Sequence, residues 1–521
     1  MQFGSPNRFA LWTDEGRNDK AAEVSFAQRG PNTLDIALSA PGSALTYLVL
    51  RWDRPIPLGT RVLGDHWERG YGDLEWRGLS PERALPWYAI LHGPADGSSQ
   101  AVGVETGGAS LASWRLDNEG VSLVLDLRCG GLGVRLGDRA LRAATVRWLS
   151  SEAGESPFAF ARRVCRQLCP SPRLPKQPVY GGNDWYSRYG DISDKTVRAD
   201  AALIRDLSPD PHNPPFHVID ASWFPARGCE GGPYDRGHPG FPDMPGLAEH
   251  LKATGVRPGI WFRPLLTTEK VPDAWRVPKG HPFGGVPGCY LDPSVPEVLE
   301  RVKADARRLV GWGYELLKFD FTTYDITGRW GFQMQPEITP GGWAFADRSR
   351  TSAEVVCGLY QALREAAGEA MLLGCNTIGH LGAGLFEVQR AGDDTSGKQW
   401  ERTRRMGINT LAFRMPQHDA FYAMDADCVG FTPTLPWEMN RLWLDVVSRS
   451  GTPLFVSVTS DSVGPEQRWA LREALGRSAR PLPPGEPLDW MTTTCPSRWR
   501  FGDETVTYNW IRFDESAFAS A

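Results

Sequence analysis

Buried-strand and helix patterns alternate along residues 178–475, and this alternation constrains the fold of the 521-residue chain more than any other feature. Short apolar runs predict eight strands, and stretches with apolar residues three and four apart predict the helices between them. Eight such units over about 300 residues predict a (β/α)8 TIM barrel. The predicted strands are Pro178–Gly182, Phe216–Ile219, Arg257–Phe262, Tyr314–Phe319, Met371–Gly374, Arg390–Asp394, Thr410–Phe413 and Thr452–Ser457.

The intervening helices have clear apolar faces. They are predicted at Asp194–Leu207, Met244–Thr254, Val295–Val310, Ser352–Ala367 and Pro465–Leu475. A doubly wound sheet is the alternative architecture, but it would normally carry a glycine-rich phosphate turn after its first strand. Gly181-Gly182 alone does not make such a turn, so the pattern favours the barrel.

Two carboxylates follow predicted barrel strands. Asp320 ends the run Leu316-Leu317-Lys318-Phe319-Asp320, and Asp394 lies 74 positions later, after a second apolar run. With roughly 31 residues per unit, this spacing separates them by about two strands, at the same barrel mouth. Two facing carboxylates are the minimal equipment for cleaving a glycosidic bond. The plainer interpretation is a strand that ends in a polar turn.

The regions on either side of the barrel have different patterns. Residues 1–150 alternate apolar and polar side chains, as in Val121–Leu127, and predict an antiparallel β-sandwich. Residues 151–177 predict a helix at Phe158–Leu168 and then a proline-rich linker. Four prolines lie within nine residues there: Pro170, Pro172, Pro175 and, at the start of the barrel, Pro178. The barrel is assigned to 178–476. Residues 477–521 form a short C-terminal β region, with strands predicted near Trp499–Phe501 and Thr505–Trp510.

The composition fits an enzyme rather than a nucleic-acid or membrane protein. The net charge is -5 and the 57 Lys and Arg residues form no basic block, so no nucleic-acid partner is expected. No N-terminal signal pattern and no run of 18 apolar residues is present, so no membrane association is expected. Nine irregularly spaced cysteines predict free thiols in a reducing cytoplasm. The dispersed histidines, among them His66, His217, His238 and His418, predict neither a metal nor another cofactor.

The order and spacing of several short motifs resemble glycoside hydrolase family 36, the α-galactosidase or melibiase family of clan D. The resemblance covers most of residues 178–475. It implies an N-terminal β-sandwich, a catalytic barrel and a C-terminal β domain, the last abbreviated here. The motifs are Asp184-Trp185-Tyr186, Val218-Ile219-Asp220, Phe241-Pro242-Asp243-Met244, Gly259-Ile260-Trp261, Leu291-Asp292-Pro293-Ser294, Lys318-Phe319-Asp320-Phe321, Leu373-Gly374-Cys375, Arg390-Ala391-Gly392-Asp393-Asp394-Thr395 and Asp425-Ala426-Asp427-Cys428.

The resemblance implies roles for individual residues. Asp320 matches the family's nucleophile and Asp394 its acid/base, with Asp393 as the competing position for the latter. The remaining matches are to residues that line or bind the sugar. They are Asp184, Asp220, Lys318 and Arg390, the aromatic residues Trp185, Tyr186 and Trp261, the thiol Cys375, and Trp67 in a sandwich loop that can reach the pocket in relatives. For Trp67 the alternative is an ordinary tryptophan that anchors its loop, and without the resemblance Cys375 would be assigned to core packing.

The implied mechanism is hydrolysis with retention of configuration. Lys318 is expected to help hold Asp320 ionised, and the surroundings of Asp394 are expected to raise its pKa so that it starts protonated. The resemblance thus predicts a retaining, exo-acting α-glycoside hydrolase of the α-galactosidase type. A transglycosylase would use the same residues, and a non-catalytic sugar-binding relative is the third possibility.

Two departures from the family pattern bear on the substrate. Relatives with a clear galactose preference carry two adjacent carboxylates after the second strand, whereas here Asp220 is followed by Ala221. Arg263, at the end of the third strand, is also unusual: it either pairs with Asp184 or Asp220 or binds a carboxylate on the sugar. Galactose is the first expectation for the sugar. N-acetylgalactosamine, L-arabinopyranose and an acidic sugar are the alternatives.

Overall fold

The computed structural model describes residues 4–94, 97–334 and 337–511. The chain begins with two antiparallel sheets of six or seven strands each. In one sheet the strands are Gly16–Arg17, Arg8–Thr13, Ala44–Trp52, Gly120–Asp126, Leu111–Asp117 and Leu85–Pro86, with Val134–Arg135 beside Ala44–Trp52. In the other they are Glu23–Gly30, Thr33–Ser39, Ala140–Ser150, Ser99–Val104, Tyr88–His92 and Arg61–Gly64.

The alternation seen in the sequence explains these sheets. In Gly120–Asp126 the side chains of Val121, Leu123 and Leu125 are buried, whereas Ser122 and Val124 are partly exposed. One face of each strand thereby contributes to a shared apolar core. A helix at Pro157–Leu168, capped by the Ser156 side chain, leads from this region towards the barrel.

A nine-stranded parallel sheet forms the centre of the molecule and curls into a TIM-like barrel. In chain order its strands are Tyr180–Asn183, Phe216–Ile219, Arg257–Phe262, Leu316–Phe319, Met371–Gly374, Val388–Arg390, Ala423–Asp425, Val429–Gly430 and Leu454–Ser457. Ala423–Asp425 and Val429–Gly430 are the two edges of the sheet, and only residues 426–428 separate them in the chain. The seventh barrel position is thus one interrupted strand, and its two halves bring the edges of the sheet together.

Helices surround this barrel. They are Trp185–Arg188, Asp194–Leu207, Met244–Ala253, Pro296–Gly311, Thr322–Thr327, Ser352–Ala367, Gly379–Gly382, Trp400–Arg402, Thr410–Arg414, Trp437–Arg449 and Pro465–Ser478, with a π-helix at Thr403–Asn409 and 3-10 turns at Asp273–Trp275, Gly331–Gln333 and Met415–Gln417. A small two-stranded antiparallel sheet pairs Leu266–Thr267 with Cys289–Tyr290. A three-stranded antiparallel sheet, Glu486–Pro487, Arg498–Phe501 and Glu504–Thr507, follows the barrel.

The predicted fold class is confirmed, and one predicted strand is wrong. Thr410–Phe413 belongs to the helix Thr410–Arg414, and the seventh strand lies at Ala423–Asp425. The sixth strand ends at Arg390, so Asp393 and Asp394 lie in the loop beyond it. The domain boundaries proposed from the sequence stay predictions.

Two further properties concern the whole molecule. Each of the nine cysteines is a free thiol. Among the helices of the described ranges, none combines the length and the apolarity that crossing a membrane requires.

Candidate active site

Asp320 lies directly after the fourth barrel strand, Leu316–Phe319, whose side chains are all buried. Phe321 follows with φ of 61°, so the chain turns sharply at the carboxylate. Asp320 Oδ1 accepts hydrogen bonds from the backbone N–H groups of Phe321 (2.7 Å) and Asn376 (3.1 Å). Oδ2 accepts one from Trp261 Nε1 at 3.2 Å. Donors from three successive barrel strand ends thus fix the orientation of this carboxylate.

Lys318 is paired with Asp220 rather than with Asp320. Its Nζ lies 2.6 Å from Asp220 Oδ2, and both side chains are buried. Asp220 also accepts hydrogen bonds from Asn183 Nδ2 (2.7 Å) and from the N–H of Ala221 (2.8 Å). The direct partner of Lys318 is thus Asp220 and not Asp320, which the sequence analysis expected it to support: the lysine reaches across the intervening strand Arg257–Phe262 to the end of the second strand.

Asp184 and His217 form a buried pair near Asp220. Asp184 Oδ1 accepts a hydrogen bond from the Asp220 N–H at 2.9 Å, and its Oδ2 lies 3.9 Å from His217 Nε2. Burial, followed by the charge of Asp220, raises the pKa of Asp184 well above its usual range. Burial lowers the pKa of His217 to about 4, so this pair favours a neutral carboxyl beside a neutral imidazole. Asp184 thus contributes to the support of Asp220.

Asp394 lies beyond the end of the sixth strand and contacts two arginines. Arg390 Nη2 donates a hydrogen bond to Asp394 Oδ1 at 2.9 Å, and Arg69 Nη1 lies 3.6 Å from the same oxygen. The Asp394 side chain is 43% exposed, whereas both arginine side chains are buried. The neighbouring Asp393 shares Arg69, at 3.2 Å, and pairs in addition with Arg402 at 2.8 Å.

The pKa of Asp394 is lowered, contrary to the expectation from the sequence. Burial works to raise this pKa, but the positive charges of Arg390, Arg69 and Lys318 outweigh it. The two guanidinium groups therefore favour the carboxylate form of Asp394.

Asp427 holds Arg390 beside Asp394. Its Oδ1 lies 2.9 Å from Arg390 Nη1, and its Oδ2 accepts hydrogen bonds from Tyr186 Oη (2.6 Å) and from the N–H and hydroxyl of Thr395 (2.7 and 2.9 Å). Asp427 has φ of 85°, an unusual conformation for a residue with a side chain. It lies in the interruption of the seventh strand. The sequence analysis included it in a family motif but gave it no role.

The aromatic candidates differ in what they contact. Trp261 is buried, stacks on Phe224 with 5.9 Å between ring centroids, and donates to Asp320. Tyr186 is buried and bonded to Asp427. Trp185 is partly exposed and lies 5.6 Å from the ring of Tyr189. Trp185 is therefore the one of the three predicted wall residues with exposed surface at this end of the barrel.

Cys375 is buried between the two carboxylate regions. Its N–H donates to Phe319 O at 2.9 Å, and its Sγ lies 3.9 Å from Arg390 Nη1. Burial, followed by the charge of Asp320, raises the pKa of its thiol well above the usual range. It is thus a neutral thiol among charged groups of the site.

The sandwich loop, Asp65–Leu74, reaches the barrel mouth through Glu68 and Arg69. Arg69 contacts Glu68, Asp393 and Asp394. Trp67 itself is buried and packs edge-on against Trp87 in the sandwich, with 5.3 Å between ring centroids. The structure thus gives Trp67 a position in the core of the sandwich. No contact between Trp67 and the other predicted site residues is seen among the described residues. The role of Trp67 in a sugar pocket stays a prediction, and the contact of this loop with Asp393 and Asp394 is made by Arg69.

Arg263 is neutralised within the protein. It forms a two-point ion pair with Asp325, with Nη2–Oδ1 at 2.6 Å and Nε–Oδ2 at 3.0 Å, and its guanidinium lies 4.1 Å from the ring centre of Phe321. The expected pairing with Asp184 or Asp220 is wrong. Arg263 was the reason to consider an acidic sugar. Because its guanidinium is already paired with Asp325, it gives no support to such a substrate.

We expect Arg263→Met to lower the free energy of unfolding by about 3–5 kcal/mol, because it leaves Asp325 as a buried, unpaired carboxylate. Chemical denaturation measures the loss. The double variant Arg263→Met/Asp325→Leu is the control, and it should recover most of the stability because no buried charge remains. A single variant within about 1 kcal/mol of the wild type would contradict this account.

A cavity of about 990 Å³ lies at the opposite end of the barrel, where the strands begin. Its charged lining is paired internally, as in Arg257 with Glu315 and Arg173 with Glu387. None of the predicted site residues lines it. Within the described ranges, no group of three or more His, Cys, Asp or Glu side chains is arranged to hold a metal ion.

Known structures resemble this one over most of the chain, although no protein-family model and no curated protein matches its sequence. An α-galactosidase from Thermus thermophilus, in complex with p-nitrophenyl α-D-galactopyranoside, has 21% sequence identity and a TM-score of 0.59; the match covers 93% of this chain and 99% of that one. The α-galactosidase from Lactobacillus brevis has 14% identity and a TM-score of 0.61, over 90% and 72% of the two chains.

A third similar structure is the GH36 α-galactosidase AgaA from Geobacillus stearothermophilus. It has 13% identity and a TM-score of 0.62, and the match covers 96% of this chain and 79% of that one. At these identities the likeness concerns the fold. The chain therefore has the fold of glycoside hydrolase family 36 α-galactosidases along most of its length.

Proposed function

We propose that the protein is a retaining, exo-acting α-glycoside hydrolase of the α-galactosidase type, with Asp320 as nucleophile and Asp394 as acid/base. The observation that carries this proposal is the pair of carboxylates at the C-terminal ends of the fourth and sixth barrel strands, with only the strand Met371–Gly374 between them. Active sites of TIM barrels are built at this end. The donors around Asp320 and the arginines beside Asp394 give the two groups different environments, as two different roles require.

The reaction divides into two displacements. A carboxylate oxygen of Asp320 bonds to the anomeric carbon while the bond from that carbon to the aglycone oxygen breaks, and the departing oxygen takes the proton of Asp394. Water then attacks the anomeric carbon, Asp394 accepts the water proton, and the ester bond to Asp320 breaks. Two inversions leave the sugar with its original configuration. A proton must reach Asp394 before the first step, because the neighbouring cations favour its ionised form.

In this proposal the sugar is held by Asp220, Lys318 and Trp185. Asp220 and Lys318 neutralise each other at 2.6 Å and offer an acceptor and a donor for sugar hydroxyls. Trp185 offers aromatic surface for the apolar face of a ring. These features support a neutral hexose or pentose as the glycone.

A panel of nitrophenyl α- and β-glycosides tests the proposal. We expect cleavage of an α-galactoside or a close stereochemical relative, and the first product seen by proton NMR should have the anomeric configuration of the substrate, which is α for an α-galactoside. Release of the opposite anomer first would exclude the retaining mechanism. Addition of an acceptor sugar to the same reaction distinguishes hydrolysis from transglycosylation by the products formed.

Ala221 supports a second candidate for the sugar. It is buried directly after Asp220, at the position where galactose-preferring relatives carry a second carboxylate that binds sugar hydroxyls. Because that carboxylate is missing here, an N-acetylgalactosaminide or a β-L-arabinopyranoside is the alternative substrate. We expect Ala221→Asp to shift preference towards plain α-galactosides, because a charged acceptor is worth roughly 1.5–3 kcal/mol to a hydroxyl. The measurement is kcat/KM across the three aryl glycosides.

Ala221→Asn is the matched control for that variant. It has nearly the same size as Asp but no charge, so it separates the effect of the carboxylate from that of the lost space. If Ala221→Asp folds and leaves the ranking of the three substrates unchanged, position 221 does not discriminate between them.

A further inference from the structure

The sandwich loop is anchored to the barrel at both ends. Asp65 pairs with Arg414 at 2.8 Å and accepts a hydrogen bond from Gln417 Nε2 at 2.7 Å. At the other end, Asn409 bonds both the N–H (3.2 Å) and the carbonyl (2.8 Å) of Leu74. These partners lie in the helical segment that follows the acid/base loop in the chain. The loop therefore holds a fixed position over the barrel mouth.

The middle of the loop pairs directly with the backbone that carries Asp394. The Gly70 N–H donates to Ala391 O at 2.8 Å, and the Asp393 N–H donates to Gly70 O at 2.9 Å. Gly70 has no side chain, and a Cβ there would approach Thr410 to 3.0 Å, so glycine permits this close contact. Two hydrogen bonds from the N-terminal region thus fix the segment just before the acid/base.

Arg69 projects from this point between two carboxylates. Its Nη1 lies 3.6 Å from Asp394 Oδ1, its Nη2 lies 3.2 Å from Asp393 Oδ1, and its Nε donates to Glu68 Oε1 at 2.8 Å. The Arg69 side chain is 6% exposed. Its three nitrogens therefore connect three carboxylates, a geometry that a guanidinium supplies and an ammonium does not.

Glu68 continues the connection to the nucleophile. It accepts hydrogen bonds from Asn376 Nδ2, from the Gly331 N–H at 2.8 Å and from Tyr71 Oη at 2.5 Å. The backbone N–H of Asn376 in turn donates to Asp320 Oδ1. A continuous path of contacts thus runs from Asp320 through Asn376, Glu68 and Arg69 to Asp394.

We propose that Arg69, held in place by Glu68, is a positioning residue of the reaction, by which the N-terminal sandwich orients the acid/base Asp394 from outside the barrel. This inference rests on the proposed function. Both arginines contact Oδ1 of Asp394, and no described residue donates a hydrogen bond to Oδ2. Arg69 and Arg390 together thus hold Oδ1 and leave Oδ2 for the glycosidic oxygen.

The position of Arg69 also has a consequence for the pH dependence. Arg390 and Arg69 contact Asp394 directly, and the other titratable groups whose charge interacts with it are Lys318, Tyr186, Tyr189 and Cys229. Arg69 is one of the three cations that lower the pKa of Asp394. The acid must be protonated for the first step, so kcat/KM falls as the pH rises through this pKa. Removing the Arg69 charge raises the pKa and moves that fall to higher pH.

The experiment measures pH profiles of kcat/KM for the wild type, Arg69→Gln and Arg69→Lys. Each is assayed on a nitrophenyl α-galactoside and on an unactivated galactose disaccharide. For Arg69→Gln we expect the basic limb to move up by about one pH unit, since an opposite charge at this distance shifts a carboxyl by roughly 1–3 units and Arg390 remains. We also expect kcat/KM on the disaccharide to fall about tenfold or more, with a much smaller fall on the nitrophenyl substrate.

The lysine variant separates charge from geometry. Arg69→Lys keeps the cation, so its basic limb should stay near that of the wild type. It cannot span Glu68 and Asp394 together, so the greater loss on the disaccharide should persist. Arg402→Gln is the matched control, because Arg402 pairs with Asp393, is more exposed, and should leave both readouts unchanged.

Several outcomes would overturn the role of Arg69. One is an unmoved basic limb in a folded Arg69→Gln, and another is an equal fall on both substrates. If Arg69→Gln does not fold, the test rests on Arg69→Lys. A ratio of kcat/KM between the disaccharide and the nitrophenyl substrate that equals the wild-type ratio would then overturn the proposal. A wild type that is inactive on every glycoside of the panel, including the N-acetylgalactosaminide and the β-L-arabinopyranoside, would overturn the proposed function and this inference together, whereas an active wild type with any of the other results overturns only the role of Arg69.

Discussion

Asp320→Asn is expected to fold normally and to lose nearly all turnover, by about 10⁴-fold or more, because an amide cannot form the glycosyl ester. The asparagine carbonyl can still accept the two backbone hydrogen bonds that Oδ1 receives from Phe321 and Asn376. Its amide NH₂ would face the Trp261 Nε1 donor, so we expect only a small loss of stability. The measurements are kcat on a nitrophenyl α-galactoside, circular dichroism and thermal unfolding.

Chemical rescue provides the control for that variant. Asp320→Gly leaves space in which azide can attack the anomeric carbon in a single displacement, so activity on an activated substrate should return and give a β-glycosyl azide. A folded Asp320→Asn with more than a few per cent of wild-type activity, or rescue that gives the α-azide, would exclude Asp320 as the nucleophile.

Most of the barrel could be predicted because its helices have strong apolar periodicity. Asp194–Leu207 and Ser352–Ala367 begin and end at the predicted residues, and capping by Ser193 and Thr351 explains their starts. The prediction of the seventh strand was wrong for a physical reason. Leu411, Ala412 and Phe413 form a short apolar run that fits a buried helix as well as a strand, and periodicity cannot separate the two at this length.

The partner of Lys318 was mistaken because neighbours along a strand were considered instead of neighbours across the barrel. In a TIM barrel, the interior layers are formed by side chains from alternate strands. Lys318 on the fourth strand accordingly meets Asp220 at the end of the second. Once a barrel is predicted, this rule can be applied to sequence alone.

Arg69 illustrates what a single sequence does not reveal. It lies 325 positions before Asp394, in a different region of the fold, and no local pattern connects the two. Tryptophan in a loop attracts attention as a sugar-stacking residue, yet Trp67 packs in the sandwich and the charged residues beside it reach the barrel. The contact depends on how two domains dock, which hydrophobic periodicity does not encode.

Asp394→Ala is expected to be slow in a way that depends on the leaving group. Protonation of the departing oxygen matters most when that oxygen is basic, and general-acid assistance is worth roughly 10²–10⁴-fold. With a disaccharide, formation of the glycosyl-enzyme should therefore become very slow. An aryl glycoside with an acidic phenol should still form the glycosyl-enzyme. The measurement is kcat/KM on both substrates, with burst kinetics on the aryl glycoside to separate formation of the ester from its hydrolysis.

Asp393→Ala is the matched control, because the two neighbours share Arg69 but differ in their second arginine. Asp393 pairs with Arg402 and Arg69, whereas Asp394 pairs with Arg390 and Arg69. Azide adds a second test: with Asp394→Ala it should attack the glycosyl-enzyme on Asp320 and give the α-azide, the opposite configuration to that expected from Asp320→Gly. If Asp393→Ala shows the dependence on the leaving group and Asp394→Ala behaves like the wild type, the acid/base is Asp393, and Arg402 replaces Arg390 as its barrel partner.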